Sequence, residues 1–401
     1  PEGEELSSLM VETSQTHRAE LEHVPSAADF ADAISDDPAS AGLLSESEVE
    51  SLLRGHAAME TVSKEQAQSD VSLLFRTLQS AYGAYEYFGQ EKFDAAEDAV
   101  TQWLSSQDDE IKVSALGEKL QESLAFMLAH DAHAVIYEPA AEEIEAQVRY
   151  EYFFADDFYF SKDVNGSYYM VNDGERWTLS SFSDEHVSVQ PTLLQDGRIV
   201  YQPTLFALRK DAVQSSVTLK NSSGKAKIYR LDWTESQPFD VDLGTLDYRL
   251  IQEDGLTYVS LRSFVSGTYD NMLARYAREG AKARGSKAVI YDLRGNVGGS
   301  DSWPRKWIQS FLGTQNSIET SMLYAQKNSA LFAAENSESL LPEDEGTCFA
   351  REVHGTWYEN DIPIIVLVDD HCGSSGEGAV QLLKTLDNVL IVGSNTAGYQ
   401  L

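Results

Sequence analysis

Two stretches decide the fold: Lys287–Ser300, KAVIYDLRGNVGGS, and Ile362–Gly378, IPIIVLVDDHCGSSGEG. Each is a short apolar run rich in β-branched residues that breaks into small and polar ones, the pattern of a buried strand feeding a loop at a site. Both loops are therefore expected at the same strand-end edge of one sheet. In the first, Ala288–Leu293 leads into Arg294, Gly295, Asn296, Val297, Gly298 and Gly299. Paired glycines let the backbone turn sharply and bring bare N–H groups close to a ligand. In the second, Ile364–Val368 runs through Asp369, Asp370, His371, Cys372 and Gly373 into Ser374, Ser375, Gly376 and Glu377, and Ala379–Leu386 reads as helix. Ser374 then sits at a strand-to-helix turn, where helix N-terminal amides can hold a developing negative charge, the environment a serine nucleophile needs.

Taken singly, a glycine-rich turn after a strand is ordinary loop geometry. The order D-L-R-G-N-x-G-G, then a strand, then S-S-G-E, then Leu390–Gly398 (LIVGSNTAG) resembles the core of the S41 serine peptidases, the C-terminal processing and tricorn-like proteases. The resemblance covers about Tyr248–Leu401 strongly and Leu73–Tyr137 more weakly. It implies that Ser374, three positions before Glu377, is the nucleophile. A D-x-H segment supplies the general base in tricorn-like members, which implies that role for His133 in Asp131-Ala132-His133. It also implies a crotonase-like α/β catalytic core and a PDZ-like module ahead of it.

With 401 residues the chain is expected to form two or three modules with substantial cores. Its 65 acidic and 30 basic residues leave a net charge of −35, which argues against nucleic acid or an anionic membrane surface as partner. Cys348 and Cys372 are the only cysteines, so no disulfide framework is expected, although one bridge between them is conceivable. The longest apolar run, Ile362–Val368, is far short of the roughly 20 residues that span a bilayer, so no membrane insertion is expected. The chain starts at Pro1 without a leader, and with the family resemblance this suggests an exported protein whose signal or anchor segment is absent.

Four regions follow along the chain. Residues 1–67 are acidic and poor in aromatics, and read as short surface helices with flexible joints, at Ala27–Ile34 and Glu46–Leu53, with His17, His23 and His56 exposed. Residues 68–137 carry apolar residues three and four apart, as in Leu116, Leu120, Leu124 and Met127, and are expected to form a helical bundle. The aromatics Tyr82, Tyr85, Tyr87 and Phe88 read as packing. Residues 138–240 alternate in short segments separated by Asn165-Gly166, Asp173-Gly174, Asp196-Gly197 and Ser223-Gly224, the pattern of a small antiparallel domain. It has no clear carboxylate-binding loop, so it is a degenerate PDZ-like domain at most. Residues 241–401 alternate strand and helix as an α/β peptidase domain, with Thr314–Gly355 read as an acidic, irregular stretch.

The chemistry expected is acyl transfer, with Ser374 attacking a peptide carbonyl, His133 taking the proton, and the N–H groups of Gly298 and Ser375 holding the oxyanion. Asp292, Arg294 and Asn296 read as loop-shaping residues, and His354 and His371 as lesser candidates for the base. The family's Ser/Lys type places a lysine just after the T-x-G segment, where this chain has Tyr399, so that mechanism is disfavoured. Tricorn-like relatives use a downstream glutamate, which would lie beyond Leu401. No nucleotide-binding or zinc-peptidase motif occurs, and no cofactor is expected. His130 and His133 could share a helix face but lack a third metal ligand, so no metal is expected either. The partner that the resemblance implies is a peptide or unfolded protein substrate. The alternative is a non-catalytic peptide-binding relative that keeps the serine and glycine loops as fold geometry.

Overall fold

The computed structural model describes residues 2–54, 59–131, 133–136, 150–155, 158–194, 197–208, 215–235, 248–267 and 269–399. The fold is a mixed α/β arrangement that divides into two compact units. One comprises Pro1–Glu20, Val148–Ile318 and Trp357–Leu401, the other Leu21–Gln147 and Glu319–Thr356.

In the first unit, a sheet runs in the order Tyr248–Glu253, Leu256–Leu261, Ala288–Asp292, Ile364–Val368, Val389–Gly393. The first two strands pair antiparallel and the rest are parallel. Strands Ala288–Asp292 and Ile364–Val368 are adjacent and point the same way, so their C-terminal loops emerge side by side. Helix Asp270–Ala283 buries Leu273, Tyr276, Ala277, Gly280 and Ala283, one stripe at helical spacing. It meets helix Ser302–Leu312 so closely that a Cβ on Gly280 would stand 2.3 Å from the Trp307 carbonyl oxygen. Between helices and sheet lie Tyr276, Tyr291, Trp307 and Phe311, with Trp307 and Phe311 stacked at 5.4 Å. Burial of a side chain such as Phe311 contributes about 1.5–3 kcal/mol.

Strands between 150 and 235 form two antiparallel sheets. One has the order Ala226–Leu231, Ser215–Lys220, Glu175–Phe182, Tyr168–Asn172, Ser161–Lys162, and the other Trp233–Glu235, Tyr150–Ala155, Ile199–Leu208, Val187–Leu193. Trp177, Phe160 and Leu219 are buried in their core. Asp173-Gly174 closes a two-residue hairpin with φ of 54° and 76°, the conformation its sequence favours. No helix occurs among the described residues of this region.

Helix Glu2–Glu22 is longer than the short surface helices expected, and Met10, Ser14 and His17 form its buried stripe. Ser14 Oγ accepts the Asn388 N–H at 2.9 Å, and Lys384 pairs with Glu20. His17 is therefore buried rather than exposed. Burial, followed by the Lys384 charge and opposed by Glu20, lowers its pKa to about 4. His23 is exposed as expected, and His56 lies outside the described residues.

The second unit contains helices Lys64–Ala81, Gln90–Ser105 and Val113–Ser123, packed through Val71, Phe75, Phe93, Val100, Leu104 and Leu116. Helix Lys64–Ala81 runs across the 67/68 boundary, its polar first turn, Lys64 to Ala67, leading into the apolar stripe Val71 and Phe75. The boundaries at 137/138 and 240/241 lie outside the described residues. Tyr85 stacks on Phe93 at 4.3 Å and Phe88 is buried, whereas Tyr87 is exposed. The stretch read as irregular is ordered here. Met322–Lys327 pairs antiparallel with Cys348–Val353, and helix Ala330–Glu335 lies between them in sequence. Lys327 is buried and donates to the Gln79 carbonyl at 2.7 Å, and Gly346 accepts the Asp37 N–H at 2.8 Å. Cys348 and Cys372 are both free thiols.

Candidate active site

The loop after Ala288–Asp292 is built on a buried carboxylate. Asp292 accepts from Arg294 Nε at 2.9 Å, Arg294 Nη2 at 2.8 Å and the Tyr258 hydroxyl at 2.7 Å, with Arg262 Nη1 at 3.4 Å. Burial alone would raise its pKa, but the bonds from Arg294 and Tyr258 and the charges of Arg262 and Arg294 outweigh it and hold the carboxyl at about 2. Asp292 and Arg294 thus shape the turn.

Asn296, fully buried, ties this loop to its neighbours. Its Nδ2 donates to the Leu261 carbonyl at 2.8 Å, its Oδ1 accepts the Gly298 N–H at 2.9 Å, and its own carbonyl accepts the Gly373 N–H at 2.9 Å. Gly298 has φ 95°, and a Cβ on it would meet Ser374 Cβ at 2.7 Å, the Gly373 carbonyl oxygen at 2.8 Å and Ser375 N at 2.9 Å. Only glycine satisfies both the positive φ and the close approach. Phe264 bridges the same loop, donating to the Gly298 carbonyl at 2.7 Å and accepting from Ser300 N–H at 2.9 Å.

Ser374 is half-buried and caps helix Ser375–Leu383, which starts four residues earlier than the helix read from sequence. Its backbone, φ 50° and ψ −122°, lies in a region that non-glycine residues rarely occupy. Such strain, on a strand-to-helix turn, turns the serine side chain outward at many nucleophile sites. The Ser375 N–H, at the helix's first position, has no hydrogen-bond partner among the described residues, while its hydroxyl donates to the Gly299 carbonyl at 2.9 Å.

Gly298, Ser374 and Ser375 are thus brought together. The Gly298 N–H, however, is already engaged by Asn296 Oδ1, so of the two candidate oxyanion donors the Ser375 amide is the open one. The Gly299 N–H, passed over in the sequence, also has no partner among the described residues, and Gly299 is exposed.

The third position of the helix, Glu377, is a buried anchor that its sequence position did not reveal. Its Oε1 accepts from the Thr396 hydroxyl at 2.6 Å and Gly398 N–H at 2.7 Å, and its Oε2 accepts from Tyr399 N–H at 2.8 Å. The Cys372 carbonyl takes the Ala397 N–H at 2.8 Å. Tyr399 packs at Gly373, where a Cβ would meet its ring at 2.6 Å. Burial, with the neighbouring Glu377 and Asp369 charges, raises the Cys372 thiol far above its usual pKa, so it is not a competing nucleophile.

His133 belongs to the helical unit and is exposed. Its backbone N–H donates to Asp131 Oδ1 at 2.9 Å, and Asp131 Oδ2 accepts the Tyr82 hydroxyl at 2.8 Å, so this carboxylate shapes the turn that carries the histidine. His354 is in the same unit, and His371 precedes Ser374 in the loop.

Residues 255–401 match the family model described as peptidase family S41. No curated protein sequence matches the chain. Among solved structures, the chain is similar to mature CPAF complexed with lactacystin, at 13% identity over 84% of this chain and 85% of that one, TM-score 0.35. It is also similar to a photosystem II D1 C-terminal processing protease, at 13% identity over 84% and 82%, TM-score 0.32. A lipoprotein from Streptococcus agalactiae is similar at 13% identity over 86% and 80%, TM-score 0.33.

Proposed function

We propose, from the match of residues 255–401 to the peptidase family S41 model, that the chain is a serine endopeptidase acting on peptide or unfolded protein segments through an acyl-enzyme on Ser374. The observation that carries this reading is the strained Ser374 backbone, φ 50°, beside a Ser375 N–H, at the start of a helix, that has no partner among the described residues. The hydroxyl adds to the substrate carbonyl, His133 accepts its proton, and the Ser375 amide stabilises the tetrahedral oxygen. Gly298 takes part as second donor when its N–H leaves Asn296. The proton then passes from His133 to the leaving amine, and water releases the acyl group.

The parallel strands with flanking helices support a crotonase-like core. For the β module, its two sheets suggest peptide capture, as in PDZ-like modules, by strand addition at a strand such as Ala226–Leu231, which is an edge among the described residues. An exported or envelope location belongs to the same reading and rests on the family resemblance. No described helix is long and apolar enough to cross a membrane.

A specific observation favours the second reading, a non-catalytic peptide-binding relative: the Gly298 N–H is bonded within its own loop. Fluorophosphonate labelling separates the two. Covalent labelling that is lost in Ser374→Ala and slowed in His133→Ala supports the peptidase. Peptide binding without labelling supports the binder.

A further inference from the structure

The segment that joins strand Ile364–Val368 to Ser374 holds a cluster that the acyl-transfer reading does not use. Asp369 is buried, its side chain 4% exposed. Its Oδ1 accepts Gly295 N–H at 2.8 Å and His371 N–H at 3.2 Å, but its Oδ2 is buried with no hydrogen-bond partner among the described residues. That oxygen lies 4.0 Å from His371 Nδ1, which in turn stands 3.1 Å from Asp370 Oδ1. One ligand atom from each of the three residues falls within 4.8 Å of the others. A buried carboxylate oxygen with no donor is costly, and a cation removes that cost.

We propose that Asp369, Asp370 and His371 form a binding site for a divalent transition-metal cation of the zinc or manganese class. An imidazole nitrogen with two carboxylates suits these ions better than calcium or magnesium, which prefer all-oxygen shells. Bonds of about 2.1 Å from one centre to each ligand need only small side-chain rotations from the distances found. His371 and Asp370 are 35% and 34% exposed, so the site has an open side through which the ion enters and water completes its coordination. The net charge of −35 raises the local concentration of cations. Because Asp369 Oδ1 also holds Gly295, the ion would brace the glycine loop and the approach to Ser374 together.

Isothermal titration of the metal-stripped full chain with Zn²⁺, in excess Mg²⁺ to mask diffuse binding by surface carboxylates, tests the site. The expected result is one strong site per chain, a melting temperature that rises with Zn²⁺, and affinity at least about tenfold weaker in His371→Ala. Asp369→Asn should behave likewise, and His371, being partly exposed, provides the variant whose fold survives if Asp369→Asn does not. Co²⁺ gives a second readout, visible d–d bands in the parent that are missing in His371→Ala. Zinc bound equally by parent and His371→Ala, or no strong site in the parent, overturns the proposal and leaves the imidazole as an ion-pair partner of the carboxylates.

Discussion

Gly298 and Ser374 touch with no room for a side chain between them: the place a Gly298 Cβ would take is within 2.7 Å of the Ser374 Cβ. The glycine loop and the serine turn are therefore one mechanical unit.

Gly298→Ala should fail on two counts. The φ of 95° is unfavourable for alanine, and the methyl must displace Ser374, Gly373 or Ser375. We expect a loss of about 2–4 kcal/mol in stability, together with a fall in fluorophosphonate labelling per folded molecule. Thermal melting and labelling measured side by side check both, and an unchanged melting temperature would contradict the close approach.

Ser374→Gly and Ser374→Ala should part company. On the proposed mechanism both should abolish labelling, but glycine also relieves the backbone at φ 50°, so it should exceed alanine by about 1 kcal/mol in urea unfolding. If alanine proves equally stable, the serine turn stores no strain.

Glu377→Gln replaces an acceptor-only group that receives three bonds with an amide whose NH₂ must confront the Gly398 or Tyr399 N–H. A loss of about 1–3 kcal/mol is expected. Amide exchange at Gly398 and Tyr399 should quicken well before the rest of the sheet opens. Exchange at parental rates in the variant would remove Glu377 as the anchor of that turn.

Two acid windows should be separable. The folded pKa of His17 lies below its usual 6.5, so the folded chain binds fewer protons than the unfolded one between 6.5 and about 4. Its neutral burial therefore favours folding above that window, and stability is lost as pH falls through it. Asp292 is also depressed, from 3.8 to about 2, and its contribution of about 2 kcal/mol disappears only on descending through that lower range. His17→Leu should flatten the upper loss and leave the lower. Urea midpoints at half-unit pH steps would show it, and an unchanged slope between 6.5 and 4 in His17→Leu would count against the buried histidine.

The strands and loops around Ser374 were legible because their signals are local: β-branched runs, paired glycines, and a serine at an abrupt change of composition. Asp292, Arg294 and Asn296 likewise proved to be loop-shaping groups. His17 was not legible, since the helix that carries it is held through Ser14 and Glu20 by Asn388 and Lys384, hundreds of positions away. The strand pair Met322–Lys327 and Cys348–Val353 was missed because acidic and small residues between them masked the alternation, and because a buried lysine sits in the ladder. The engagement of Gly298 by Asn296 depends on one rotamer, which residue type alone does not specify.

The bond between Ser14 and Asn388 joins positions 374 residues apart. At synthesis rates of about 5–20 residues per second, Asn388 follows Ser14 out of the ribosome by roughly 20–75 s. For that interval, helix Glu2–Glu22 has none of its docking partners from the far end of the chain, and its Met10 stripe stays open to chaperones and to other nascent chains. Closing so long a loop also makes this contact entropically late, so this helix is made long before it can settle into its place.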